Sequence, residues 1–281
     1  MRVRWLALAM LASLAVARGA DEKIQTGSNL LLWPGGKPPD ALGDEWLDKP
    51  ILTAILPPQS RRNGTAVIIC PGGGNTKLFY HPEGMAVAEH LSEWGVAGFI
   101  LTYRLEPRYG PAARLLDGQR AVQLVRSRAS EWKLDPKRVG MMGFSAGGSL
   151  TVATGLNVLE GERNSTDPVS RASSRPDFAV LVYGAGGLGA SPGRPAAPPP
   201  DPERVKQFPP SFIIAAESDR MSIGAAASWQ TLRSAGVSAE LHIYQKGRHG
   251  FGAAEFYPIL SDWMGRLEAW MKYGGWLGRT K

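Results

Sequence analysis

Residues Gly143-Phe144-Ser145-Ala146-Gly147 follow directly on the apolar run Val139-Gly140-Met141-Met142. The pentapeptide reads Gly-x-Ser-x-Gly, the pattern of a nucleophile elbow, in which a strand ends, one residue turns sharply and a helix begins. The glycines are needed because the turn brings the strand and helix backbones too close for side chains. The serine is held in a strained conformation that pushes its hydroxyl into a cleft. Five residues of this kind are common by chance, so their neighbours decide. The strand-like run stands before them, and Gly147-Gly148-Ser149-Leu150-Thr151-Val152-Ala153 after them supplies the small residues of a helix packed closely on a sheet.

Working outward, strand-like and helical patterns alternate, which predicts an α/β fold with a mostly parallel central sheet and helices on both faces. Strands are expected over 65–70, 96–103, 139–144, 177–183, 211–216 and 240–244. Helices are expected over 82–94, 111–132, 145 to about 159, 222–234 and 255–273. In the last of these Phe256, Ile259, Leu260, Trp263, Met264, Leu267, Trp270 and Met271 form one apolar stripe. The lead 33–39 is expected to be extended, and 51–56 to be an edge strand ended by Pro57-Pro58. The segment 184–209, centred on Pro198-Pro199-Pro200, reads as a mobile loop and not as a lid domain with its own core.

The chain has 281 residues, 43% hydrophobic and 20% charged, ordinary values for a globular protein with a large core. Residues 1–17 read as a secretory leader: Arg2 and Arg4 precede the apolar stretch 5–16, and Ala15-Val16-Ala17 offers a cleavage site, with a second choice as late as about residue 20. That leaves 21–281 as a single catalytic domain, secreted or periplasmic. The net charge of +7, or +5 without Arg2 and Arg4, is spread over many arginines with no dense basic block. Neither a nucleic-acid partner nor stable membrane insertion is expected. Cys70 is the one cysteine, so no intramolecular disulfide is possible, and it reads as a buried small hydrophobe.

A serine hydroxyl is a poor nucleophile unless a base takes its proton and a third group orients that base. After this kind of elbow the partners follow in the order acid, then histidine. Of the four histidines, His81 and His90 precede the elbow and His242 lies inside a predicted strand. His249, in the loop Gly247-Arg248-His249-Gly250-Phe251-Gly252, is the candidate base. Two acids follow the 211–216 strand, Glu217 and Asp219, and spacing does not separate them. Asp219 is preferred because it stands at the turn into the next helix. Backbone donors for an oxyanion are expected from Ala146, at a helix N-terminus, and from Gly73 and Gly74 of Pro71-Gly72-Gly73-Gly74-Asn75. No metal or organic cofactor is called for.

With Pro71-Gly72-Gly73-Gly74, Asp135-Pro136-Lys137-Arg138-Val139-Gly140, Gly143-Phe144-Ser145-Ala146-Gly147-Gly148 and Gly247-Arg248-His249-Gly250-Phe251, the chain resembles the small esterase/lipase branch of the α/β-hydrolase superfamily over nearly all of 21–281. The lead Leu32-Trp33-Pro34-Gly35-Gly36 is similar to that of exported acetyl xylan esterases and xylanase-B-like proteins. The resemblance implies an α/β-hydrolase fold, a serine esterase, and removal of acetyl or other short acyl groups from carbohydrate esters. Such relatives tend to carry paired aspartates where Glu217-Ser218-Asp219 stands. Two rival readings are a serine peptidase of the prolyl-oligopeptidase kind, for whose gating domain there is no room, and a non-catalytic carbohydrate-binding protein, which would not need serine, acid and histidine in order. Oligomeric state is not readable.

Overall fold

The computed structural model describes residues 25–189, 199–254 and 260–278. Residues 1–17, most of the Gly/Pro-rich core of 184–209 and the start of the expected last helix lie outside the described residues. Eight strands form one sheet: β1 (Gln25–Leu31), β2 (Ile51–Leu56), β3 (Ala66–Cys70), β4 (Ala97–Thr102), β5 (Val139–Phe144), β6 (Ala179–Val182), β7 (Ser211–Ala216) and β8 (Ala239–Tyr244). Their order is β1-β2-β4-β3-β5-β6-β7-β8. The pairs β1–β2 and β2–β4 are antiparallel and every other pair is parallel. The expected mostly parallel sheet is therefore present.

The helices are α1 (Ala86–Glu93), α2 (Pro111–Ser127), α3 (Ala146–Leu156), α4 (Pro202–Lys206), α5 (Met221–Ser234) and α6 (Trp263–Tyr273). They cover both faces because the central strands are apolar on both sides. Val67 and Ile69 pack with Val87 and Leu91 of α1 and Trp263 and Leu267 of α6. Ile68 and Cys70, one residue out of step, pack on the other face with Val122 and Val125 of α2 and Leu150 of α3. This is the two-residue alternation of a strand. Cys70 is fully buried, and burial pushes its thiol far above the usual range.

Five element expectations are corrected. The segment 184–209, read as a loop, contains the short helix α4 at Pro202–Lys206. The strand 51–56 is not an edge: β1 covers it, in a register broken by a bulge between Thr26 and Ser28. Residues 34–36 form a short 3-10 turn within the lead expected to be extended. The helix expected over 111–132 stops at Ser127 and resumes as a separate 3-10 turn at Ala129–Trp132. The last helix begins at Trp263, after turns at 260–262; Phe256 and Ile259 lie outside the described residues. Among the described residues no helix is long and apolar enough to cross a membrane.

Candidate active site

Parallel strands deliver their carboxyl ends to one edge of the sheet, where α/β folds place their ligands. Here β3, β5, β6, β7 and β8 are consecutive neighbours. The glycine loop 71–75, Ser145, Tyr183, Asp219 and His249 follow their respective ends. The elbow is tight. Ser145 has φ 51° and ψ −114°, strained for any residue with a side chain. A Cβ on Gly147 would stand 1.9 Å from the carbonyl oxygen of Cys70, so only glycine permits α3 to start this close to β3. Ser145 N–H donates to Val182 O at 3.0 Å, pinning the turn to β6.

The three polar side chains named from chain order meet. Ser145 Oγ lies 2.8 Å from His249 Nε2, and His249 Nδ1 lies 2.6 Å from Asp219 Oδ2. An ionised carboxylate only accepts, so Nδ1–H donates to Asp219, leaving Nε2 to accept the serine proton. Asp219 is 6% exposed, and its other oxygen accepts Met221 N–H at 2.9 Å at the start of α5. Glu217 is exposed, and its amide continues the β7–β8 ladder to Tyr244 O at 2.7 Å. Geometry thus separates the two acids that spacing left open. Ser218 Oγ donates to Gly247 O, tying the acid turn to the histidine loop.

A cleft of about 430 Å³ opens over Ser145, lined among others by Gly74, Asn75, Arg114, Ala146, Met221 and His249. Ala146, as the first residue of α3, has an amide with no intrahelical acceptor and the positive end of the helix behind it. Gly74 and Asn75 adopt φ of 65° and 66°, which turns the loop across the cleft. Gly73 is not among the lining residues. Its carbonyl closes the turn by accepting the amides of Thr76 and Lys77 at 3.3 Å each. The amide of Gly72 is committed to Glu83 Oε2 at 2.6 Å. Of the remaining histidines, His242 bonds Glu240 at 2.7 Å, and His90 pairs with Glu93 at 3.7 Å. Among the described residues no group of three or more His, Cys, Asp or Glu side chains is placed to hold a metal ion.

Sequence reasoning missed Glu83 and Tyr183 beneath the site, and Arg114 and Met221 in the cleft wall. Glu83 had a readable signal: it shares the i, i+4, i+8 stripe of Val87 and Leu91, where an acid is out of place unless it has work to do.

Comparison with known proteins bears on the family and the fold. Residues 52–186 match the BD-FAE family and residues 182–253 the alpha/beta hydrolase fold family. The crystal structure of an acetyl ester-xyloside bifunctional hydrolase from Caldicellulosiruptor lactoaceticus is 31% identical, with a TM-score of 0.78, covering 90% of this chain and 98% of that one. The chain belongs to the α/β-hydrolase family. This α/β-hydrolase is also 27% identical over 234 residues to an acetylxylan esterase of Xylanibacter ruminicola, covering 75% of its own length and 46% of the relative's. It thus spans about half of that protein. It is 29% identical over 120 residues to an endo-1,4-beta-xylanase B of Butyrivibrio fibrisolvens, 19% of whose length is covered. The Est2 esterase of Thermogutta terrifontis, at 18% identity and a TM-score of 0.68, shares the fold.

Proposed function

We propose that this chain is a serine carboxylic ester hydrolase that removes acetyl or other short acyl groups from carbohydrate esters. The observation that carries the reading is the continuous hydrogen-bonded line from Ser145 Oγ through His249 to buried Asp219, mounted on a serine in strained backbone geometry. Ser145 Oγ attacks the ester carbonyl carbon while its proton passes to His249 Nε2. Asp219 holds the imidazole in the Nδ1–H tautomer and stabilises the imidazolium without taking the proton. Negative charge gathers on the former carbonyl oxygen, which the amides of Ala146 and Gly74, both lining the cleft, receive; each such donor is worth about 3 kcal/mol in the transition state. The carbon–oxygen bond to the alcohol then breaks, and His249 returns its proton to the departing alkoxide. Water, deprotonated by His249, attacks the acyl-serine and releases the acid and free Ser145.

The acetyl and carbohydrate parts rest on the relatives named acetylxylan esterase and acetyl ester-xyloside bifunctional hydrolase. An open site supports them: the His249 side chain is 45% exposed, so an acyl group borne on a bulky polymer can reach it. The leader-like 1–17 stretch supports action outside the cytoplasm, where such polymers are met.

The test is hydrolysis of p-nitrophenyl acetate, butyrate and octanoate, beside acetate release from acetylated xylan, by the wild type and Ser145→Ala. Turnover should be fastest on acetate, and the variant should lose about 10⁵-fold or more in kcat. A wild type no faster than the variant on every ester removes the esterase reading. Ester turnover with no acetate released from xylan removes the xylan part alone.

A further inference from the structure

Beneath the serine and histidine lies a carboxyl group that the mechanism above leaves unused. Glu83 is 2% exposed and sits in the π-type turn His81–Met85 that precedes α1. Among the described residues it forms no ion pair. Oε2 accepts Gly72 N–H at 2.6 Å, and Oε1 accepts the Tyr183 hydroxyl at 2.7 Å. That hydroxyl in turn accepts Gly252 N–H at 3.0 Å. One buried carboxyl therefore ties together three segments: the glycine loop after β3, the end of β6, and the loop that carries His249.

Each segment is held in more than one way. Tyr183 is fully buried with φ 40°, a conformation costly to any non-glycine residue, so its surroundings must enforce it. Its ring lies against the His249 imidazole, centroids 4.9 Å apart, and against Phe251 at 4.5 Å. A Cβ on Gly252 would stand 2.4 Å from Pro82 O, and Ala253 N–H donates to that same oxygen at 3.2 Å. The histidine loop thus rests directly on residues 82 and 83. Burial pushes the Glu83 carboxyl up, while the bonds from Tyr183 and Gly72 and the nearby His249 act in the opposite sense. A buried carboxyl without a cation costs stability, and its place here lies where the two halves of the site meet.

We propose that Glu83 is a positioning residue that, through Tyr183, holds the glycine loop and the His249 loop in register, so that oxyanion donors and base face one carbonyl group. This rests on the serine esterase reading. Glu83→Gln preserves shape but offers an amide NH₂ where two acceptor oxygens are required, so either Gly72 or Tyr183 loses its acceptor. Tyr183→Phe removes the hydroxyl and keeps the ring against His249.

The experiment is steady-state hydrolysis of p-nitrophenyl acetate by the wild type, both single variants and the double variant. Reactive Ser145 is counted by stoichiometric labelling with an organophosphonate, and melting is followed alongside. In each single variant kcat per labelled serine should fall by about 10- to 100-fold, with KM within about twofold. The double variant should fall no further than the worse single, because both act through one chain of bonds. A role confined to folding would lower the labelled fraction and the melting temperature but leave kcat per labelled serine unchanged. That result, or additive losses in the double variant, overturns the proposal; should Glu83→Gln fail to fold, Tyr183→Phe decides. A wild type without turnover would instead bring down the esterase reading, so the two failures are distinguishable.

Discussion

At the scale of single residues, the site turns on which acid orients His249. Asp219 is buried, bonded to Nδ1, and fixed by the amide of Met221; Glu217 points to solvent at the end of β7. Asp219→Asn should keep the shape but offer the imidazole a donor as readily as an acceptor, favouring the wrong tautomer. A loss of about 10³- to 10⁴-fold in kcat is expected, whereas Glu217→Gln should stay within about twofold, as surface changes do. Near-equal losses from the two, measured on p-nitrophenyl acetate, would mean that Asp219 does not hold this role. The serine and histidine were legible through motif and order, since an elbow needs its glycines, and of the two histidines after it His242 lies inside a predicted strand. It left the acid open because both candidates follow the same strand. Only the turn at 217–221 decides which carboxylate faces inward. Tyr183 escaped notice because its bonds run to the Glu83 side chain and the Gly252 amide, both far away in the chain, and no local pattern encodes such pairings; Glu83 left only its place on the stripe of Val87 and Leu91.

At the scale of elements, α3 begins directly after Ser145, the proposed nucleophile, and owes its position to missing side chains. A Cβ on Gly148 would stand 1.9 Å from the carbonyl oxygen of Gly184, a backbone atom with nowhere to go. Gly265, by contrast, lies exposed within α6 and a Cβ there meets nothing within 4 Å. Gly148→Ala should therefore cost about 1–3 kcal/mol as overpacking. Gly265→Ala should add about 1 kcal/mol through helix propensity alone. Urea unfolding of both variants checks the contrast, and two substitutions of the same sign would refute it. The stripe expected in the last helix was legible in the same way: Leu260, Trp263, Met264, Leu267 and Met271 are all buried. β1 was not legible, because Gln25-Thr26-Gly27-Ser28-Asn29 is polar and contains a bulge, and Gly27, Ser28 and Asn29 are exposed. Its pairing with β2 is made by backbone bonds, which any sequence can supply, so β2 looked like the edge.

At the scale of the whole molecule, the parallel half of the sheet carries all the site residues, and the antiparallel strands β1 and β2 extend it on the far side from β7 and β8. Alternation of strand and helix made that division visible, because crossover helices force neighbouring strands to run parallel and gather their carboxyl ends. The folded state accepts a cost for that gathering at Glu83, and the cost should be visible in global unfolding. Burial raises the folded pKa of this carboxyl above its unfolded value. The folded chain therefore holds the proton more tightly, and the associated stability is full below the unfolded pKa and lost as pH rises through the folded one. Glu83→Gln has no proton to lose. Other titrating groups are common to both proteins, so the slope of the difference reports the net shift of this one carboxyl, burial and hydrogen bonds together. Unfolding free energies from urea titrations, taken at several pH values from below the usual glutamate pKa to neutrality, should show the wild type's margin over Glu83→Gln shrinking as pH rises. Parallel curves would mean that the bonds from Gly72 and Tyr183 balance burial, and a margin that widens with pH that they outweigh it; either would show Glu83 held as a carboxylate at no cost to the fold.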